Sequence, residues 1–202
     1  MMTPALFSVC VLAALLELDT TYAFQLTFSR GIIAAPIFSL LTGDIMAGIQ
    51  VGVFTELLFI DVNPLGGVLP PSAVICSATT LALHMLGAEL YLAFIFGVLF
   101  SLVFAQIEKY RRRSRFRWMI YWEQKIVQKP TSVNRAIMIS LFSSFAINFL
   151  LLFAFVWAVS PVILWIAAHM PERAQIACKL AYMAVPWIGL AALIPEFRLK
   201  TR

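Results

Sequence analysis

The sequence predicts an all-α, polytopic membrane protein whose N-terminal half contains broken or re-entrant helices. Three observations carry this. Of 202 residues, 62% are apolar and 12% charged, whereas soluble domains hold roughly 45–50% and about 25%. The apolar residues fall into long runs separated by short polar segments. Two runs in the N-terminal half are cut short by glycine, proline and polar residues. At about 20 residues for a hydrocarbon core of about 30 Å, the apolar content allows at most about six full crossings.

Residues 3–24 form the first apolar run. It lacks a positive n-region and a small-residue pattern before Cys10, so it reads as a retained membrane segment. Residues 31–42 and 45–60 are too short to span upright, as expected of re-entrant or core segments. Between them, Thr42-Gly43-Asp44 predicts a helix end at Gly43 and an N-cap at Asp44: glycine accepts the left-handed turn and a carboxylate accepts orphan amides. A second break follows at Asn63-Pro64-Leu65-Gly66-Gly67 and Pro70-Pro71-Ser72. Non-helical backbone at membrane depth must be buried in protein or line a wet cavity. Residues 68–88 and 90–107 predict two more segments joined at Gly87-Ala88-Glu89. Residues 136–159 and 174–195 predict a final pair, with Pro161 and His169 to Glu172 in the turn.

Charge divides the chain into 1–107, a membrane region with the candidate site; 108–135, a basic loop; and 136–202, C-terminal helices with a basic tail. The first region carries one basic side chain, Arg30, against six acidic ones, and nine of the remaining fourteen basic residues lie between Lys109 and Arg135. The positive-inside rule puts that loop and the tail residues Arg198, Lys200 and Arg202 on the cytoplasmic side. Trp118, Trp122 and Ile126 recur there at helical spacing. This fits an in-plane helix on anionic lipid at 109–135, an ordinary basic loop with an aromatic belt, or a docking surface. The apolar flanks favour lipid, and no nucleic-acid partner is expected. Cys10, Cys76 and Cys178 lie inside apolar runs without metal-ligand spacing and read as small hydrophobes.

Candidate chemistry concentrates in residues 17–72. Gly48, Gly52 and Glu56 recur every fourth residue on one helix face. The glycines allow a second backbone to approach. A carboxylate at the centre of a spanning helix costs about 2.5–3.5 kcal/mol and therefore needs a partner or water. Asp61 and Asn63 follow it directly, while Gln25 and Arg30 precede the first break. Brought together by broken helices, these groups offer the donors and acceptors a polyhydroxylated ligand needs. Plainer roles exist for each: Asp44 as a cap, Arg30 as an ion-pair partner, Asn63 as a turn former. Glu17 and Asp19 read as interface or subunit-contact residues, and the single histidines His84 and His169 as structural. No phosphate-binding glycine loop or nucleophile elbow occurs, so no catalytic residue, metal ligand or cofactor site is assigned. The one enzyme-like arrangement would be an aspartate pair, Asp19 with Asp44.

Taken together, Gln25 to Arg30 (QLTFSR), Gly43-Asp44, Gly48, Gly52, Glu56, Gly66 and Pro71 resemble the N-terminal signature of the membrane IIC subunit of mannose/fructose/sorbose-type sugar phosphotransferase systems. Val185-Pro186-Trp187-Ile188-Gly189 is similar to a later P-x-x-G segment of that family. Gly31 stands where the family usually has proline and Asp61 where it usually has glycine, and the family generally continues with further membrane segments. The resemblance implies a permease subunit of the bacterial cytoplasmic membrane. It would bind and pass a mannose-type hexose together with a IID-like membrane subunit, while soluble IIA- and IIB-like phosphocarriers phosphorylate the sugar; association with further copies of this chain is compatible with it. Gln25, Arg30, Glu56, Asp61 and Asn63 would contact the substrate, and Gly43, Asp44, Gly48, Gly52, Gly66 and Pro71 would shape the backbone. Two other functions fit the same residues: a shortened, non-transporting scaffold or regulator of the same ancestry, and an ion-coupled carrier with Asp44, Glu56 or Asp61 as proton sites.

Overall fold

The computed structural model describes residues 4–20, 27–60, 69–128 and 133–197, and these contain seven α-helices and no strand. In chain order they are α1 (Pro4–Asp19), α2 (Gly31–Thr42), α3 (Ile45–Phe59), α4 (Ala73–Met85), α5 (Leu90–Gln128), α6 (Val133–His169) and α7 (Glu172–Phe197). Among the described residues three helices, in α5, α6 and α7, are long and apolar enough to cross a membrane, and α2, α3 and α4 are shorter apolar helices. This is the all-α membrane architecture with broken helices that the sequence predicts.

The first break forms as expected. Gly43 closes α2 in the left-handed conformation (φ 87°), and its N–H donates to the Ser39 carbonyl. Asp44 then caps α3, its carboxylate accepting from the Ala47 N–H at 3.0 Å. The two helices fold back on each other through the small-residue face. A Cβ placed on Gly48 would lie 2.2 Å from the Ser39 Cβ, and one on Gly52 would lie 2.7 Å from the Gly31 carbonyl oxygen. Gly31, at the first position of α2, thus faces Gly52 directly.

Helix α4 is the centre of the bundle and packs against α1, α2, α3, α5 and α6. Val74 through Leu83 are all buried, polar residues included. Its two threonine hydroxyls are satisfied inside the helix: Thr79 Oγ1 donates to the Ile75 carbonyl at 2.7 Å and Thr80 Oγ1 to the Cys76 carbonyl at 2.8 Å. Such back-bonding lets a threonine pass through a dry core without an external partner. Ser72 caps the helix, accepting from the Ile75 N–H at 3.2 Å.

Two sequence-based boundaries differ from the structure. The basic segment expected as a loop is helical through Gln128, where α5 continues without interruption. From Glu108 to Gln128 its sequence is rich in arginine, with lysine, glutamate and glutamine and no glycine or proline, so its helix propensity is high and nothing stops the helix once it leaves the apolar stretch. Pro161, expected in a turn, lies inside α6, and the connection to α7 is Met170-Pro171. Long membrane helices tolerate an internal proline when neighbours satisfy the freed carbonyl.

Helix length gives the levels of the bundle. From Leu90 to Glu108 is about 27 Å along α5, and from His169 back to Asn148 is about 31 Å along α6, each close to one hydrocarbon thickness. Arg111 Nη1 donates to Asn148 Oδ1, tying both helices together at this level. The far end of the bundle holds the Gly87 turn (φ 100°) and the tip of the α2–α3 hairpin, where His84 Nε2 lies 3.5 Å from Asp44 Oδ2.

Candidate functional site

The base of the α2–α3 hairpin brings Arg30 and Glu56 together. Arg30 precedes α2 as its N-cap residue, and Glu56 lies in the last turn of α3, so a fold-back at Gly43 puts them side by side although 26 residues separate them. Arg30 Nη1 donates to Glu56 Oε2 at 3.5 Å. This contact is long for a charge-assisted bond, and the Arg30 side chain is 67% exposed against 24% for Glu56. Glu56 Oε1 is buried and has no hydrogen-bond partner among the described residues. One carboxylate oxygen is therefore held by a guanidinium and the other awaits a donor. The turn before Arg30 includes Thr27 at φ 65°, an unfavourable conformation for a β-branched residue. Such local strain is found where a site dictates backbone geometry.

The helix that carries Glu56 packs into the bundle around it. Thr55 is fully buried, its hydroxyl donating to the Val51 carbonyl at 2.7 Å, and Ser77 Oγ lies 3.5 Å from Thr55 Oγ1. Phe54 packs on Tyr182 and Phe94, with ring centroids 4.8 and 6.3 Å away. Gly189 of the Val185–Gly189 motif meets Leu57 so closely that a Cβ there would lie 2.5 Å from the Leu57 Cβ. The late motif and the early one are thus parts of one packed unit, with α7 bracing the helix that carries Glu56.

Asp44 belongs to the opposite end of the hairpin, about 18 Å from Glu56 along α3. The Ala47 N–H and the adjacent His84 hold its carboxyl below the usual carboxylate range. His84 Nδ1 contacts the Ala88 carbonyl at 2.8 Å, so the pair fastens the tip to the α4–α5 turn. Pro71 immediately precedes the Ser72 cap. Gln25, Asp61, Asn63 and Gly66 lie outside the described residues.

A second polar cluster was not visible in sequence. Ser72 Oγ donates to Glu17 Oε2, joining α4 to α1. Glu17 and Asp19, expected at an interface, are instead buried within the chain, 8% and 7% exposed. Glu108 accepts from Arg112 and Arg115 and also pairs with Arg111 at 3.0 Å. The sequence marked Pro70-Pro71-Ser72 only as a break; the partner of Ser72, 55 residues away, was not legible there.

Residues 4–198 match the family described as the PTS (phosphotransferase) system sorbose-specific IIC component. The chain belongs to this family. A sorbose-type IIC component is a sugar-specific membrane subunit of a phosphotransferase system, in which phosphotransfer is done by other subunits, so the chain is a multi-pass PTS permease subunit. No curated protein sequence matches it significantly. A solved structure described as a membrane protein is similar in fold, with a TM-score of 0.79 at 18% identity over 99% of this chain and 82% of its own. The hairpin, its glycine contacts and the Arg30–Glu56 pair fall within the family match.

Proposed function

We propose that this IIC component binds and translocates a mannose-type hexose at the base of the α2–α3 hairpin, in the bacterial cytoplasmic membrane and in complex with a IID-like membrane subunit. Soluble IIA- and IIB-like carriers phosphorylate the sugar on the cytoplasmic side, where the basic end of α5 and the C-terminal tail lie. The observation that carries this reading is Glu56, an acidic group with one oxygen paired to Arg30 and the other buried without a partner among the described residues. A sugar hydroxyl donates to such an oxygen, and the exposed Arg30 guanidinium donates to a second hydroxyl. Gln25, Asp61 and Asn63 are assigned to the same site because they flank Arg30 and Glu56 in the chain. A hydrogen bond to a charged group contributes about 1.5–3 kcal/mol net.

The test is mannose binding by the purified membrane complex. Glu56→Ala is expected to weaken binding about 10- to 100-fold. His169→Ala should leave binding unchanged, since His169 is exposed and stacks on Trp165 with ring centroids 4.7 Å apart. Equal loss in both variants, or no loss in either, rejects the assignment.

A further inference from the structure

Beyond the level of Glu108, α5 and α6 continue as an antiparallel pair with a cleft of about 790 Å³ between them. Arg111, Arg112 and Arg115 line it from α5. All three also contact the carboxylate of Glu108, at 3.0 to 3.4 Å, and no acidic residue is among those that line the cleft. Ser114 and Ser140 add hydroxyls to the lining. The rest of the wall is largely apolar, and Trp118, Met119 and Ile137 stay 51–61% exposed. Aromatic, aliphatic and guanidinium groups in one interhelical cleft match an amphiphile with an anionic head. Both helices place the arginines about one hydrocarbon thickness from the opposite end of the bundle, which is headgroup level.

From this charge complementarity and depth we infer that the α5–α6 cleft is a binding site for one anionic phospholipid. The phosphodiester sits against Arg112 and Arg115, and the apolar walls take the glycerol and upper acyl carbons. Phosphate oxygens fit the guanidinium fork in bidentate geometry, and basic groups at headgroup level attract an anionic head. The site is independent of the sugar reading, since the cleft shares no residue with the Arg30–Glu56 pair.

Native mass spectrometry of the full-length chain in detergent, titrated with phosphatidylglycerol or phosphatidylcholine, tests this. The wild type is expected to retain one phosphatidylglycerol at least about tenfold more tightly than phosphatidylcholine, and the Arg112→Gln/Arg115→Gln pair to lose that preference. Lys109→Gln/Arg113→Gln removes the same charge from α5 outside the cleft and should keep it. Ser140→Phe narrows the cleft without touching any charge, so it serves if the arginine pair fails to fold, and it should weaken retention as well. Equal retention of the two lipids, equal loss in both charge pairs, undiminished retention in Ser140→Phe, or displacement of the lipid by millimolar inorganic phosphate overturns the proposal.

Discussion

At the residue scale, the glycines of the hairpin face matter more than their modest motif suggests. Gly48 is not simply small: a Cβ there would collide with the Ser39 Cβ at 2.2 Å and approach the Ala35 carbonyl oxygen at 2.9 Å. Neither obstacle is the far end of a flexible side chain. Gly48→Ala must therefore separate α2 from α3, at a cost of about 1–3 kcal/mol. Thermal unfolding in detergent should show a lowered midpoint. Adding Ser39→Gly should recover part of the loss, because it removes the nearer obstacle and leaves the carbonyl; absence of any recovery would mean that the helices do not meet at this point. Glu56 needs this close approach, since only the fold-back brings it to Arg30. The glycine spacing and the out-of-place carboxylate were both legible in sequence. The pairing of that carboxylate with Arg30 was one of several alternatives the sequence left open, beside a backbone amide and a ligand.

At the element scale, the hairpin tip is a helix stop joined directly to a helix start, and each half has its own chemistry. Gly43→Ala puts a Cβ in the left-handed region at φ 87°, costing roughly 1 kcal/mol. Asp44→Ala removes the α3 cap for about 1 kcal/mol, whereas Asp44→Asn keeps an acceptor for the Ala47 N–H and should retain most of it. Chemical denaturation of the three variants checks this order. The sign of the pH effect follows from the lowered Asp44 carboxyl. A carboxylate held below its ordinary value stabilises fully above about pH 4, and the contribution vanishes as pH falls through the lower folded value. At neutral pH the cap is therefore complete. Helix α5 shows what local reading misses. Its basic half was expected as a loop because charge density marks water contact, yet a charged helix is equally at home in water when its propensity is high.

At the scale of the whole molecule, the central fact is that the most buried helix is among the shortest. Only 13 residues long, α4 is sheathed by five neighbours, and the long helices α6 and α7 leave much of their apolar surface outside. In a membrane this arrangement is favourable, because lipid covers apolar side chains as well as protein does and packing, not dehydration, holds helices together. Topology supplies a further prediction. Cys10 and Cys76 are buried, so replacing Cys178 leaves a background of low reactivity. In it, Lys109→Cys should react with a membrane-impermeant maleimide only from the cytoplasmic face, and Glu172→Cys, about one hydrocarbon thickness away, only from the other. Labelling of Lys109→Cys only from outside and Glu172→Cys only from the cytoplasm would reverse the assigned orientation, and labelling of both from one side would remove the crossing between them.

Composition alone established a membrane protein, because a chain 62% apolar and 12% charged cannot cover itself for water. Short-range rules established the Gly43–Asp44 break, since caps and left-handed turns are decided by neighbours within four residues. Tertiary structure decided everything that depends on distance along the chain. It joined Arg30 to Glu56 across 26 residues and Glu17 to Ser72 across 55, and it set Gly189 against Leu57. Periodicity tells which face of a helix is small or polar, but every face has several neighbours available in a bundle. Which one it meets follows from how five helices pack around α4 and α7 packs on α3 and α5.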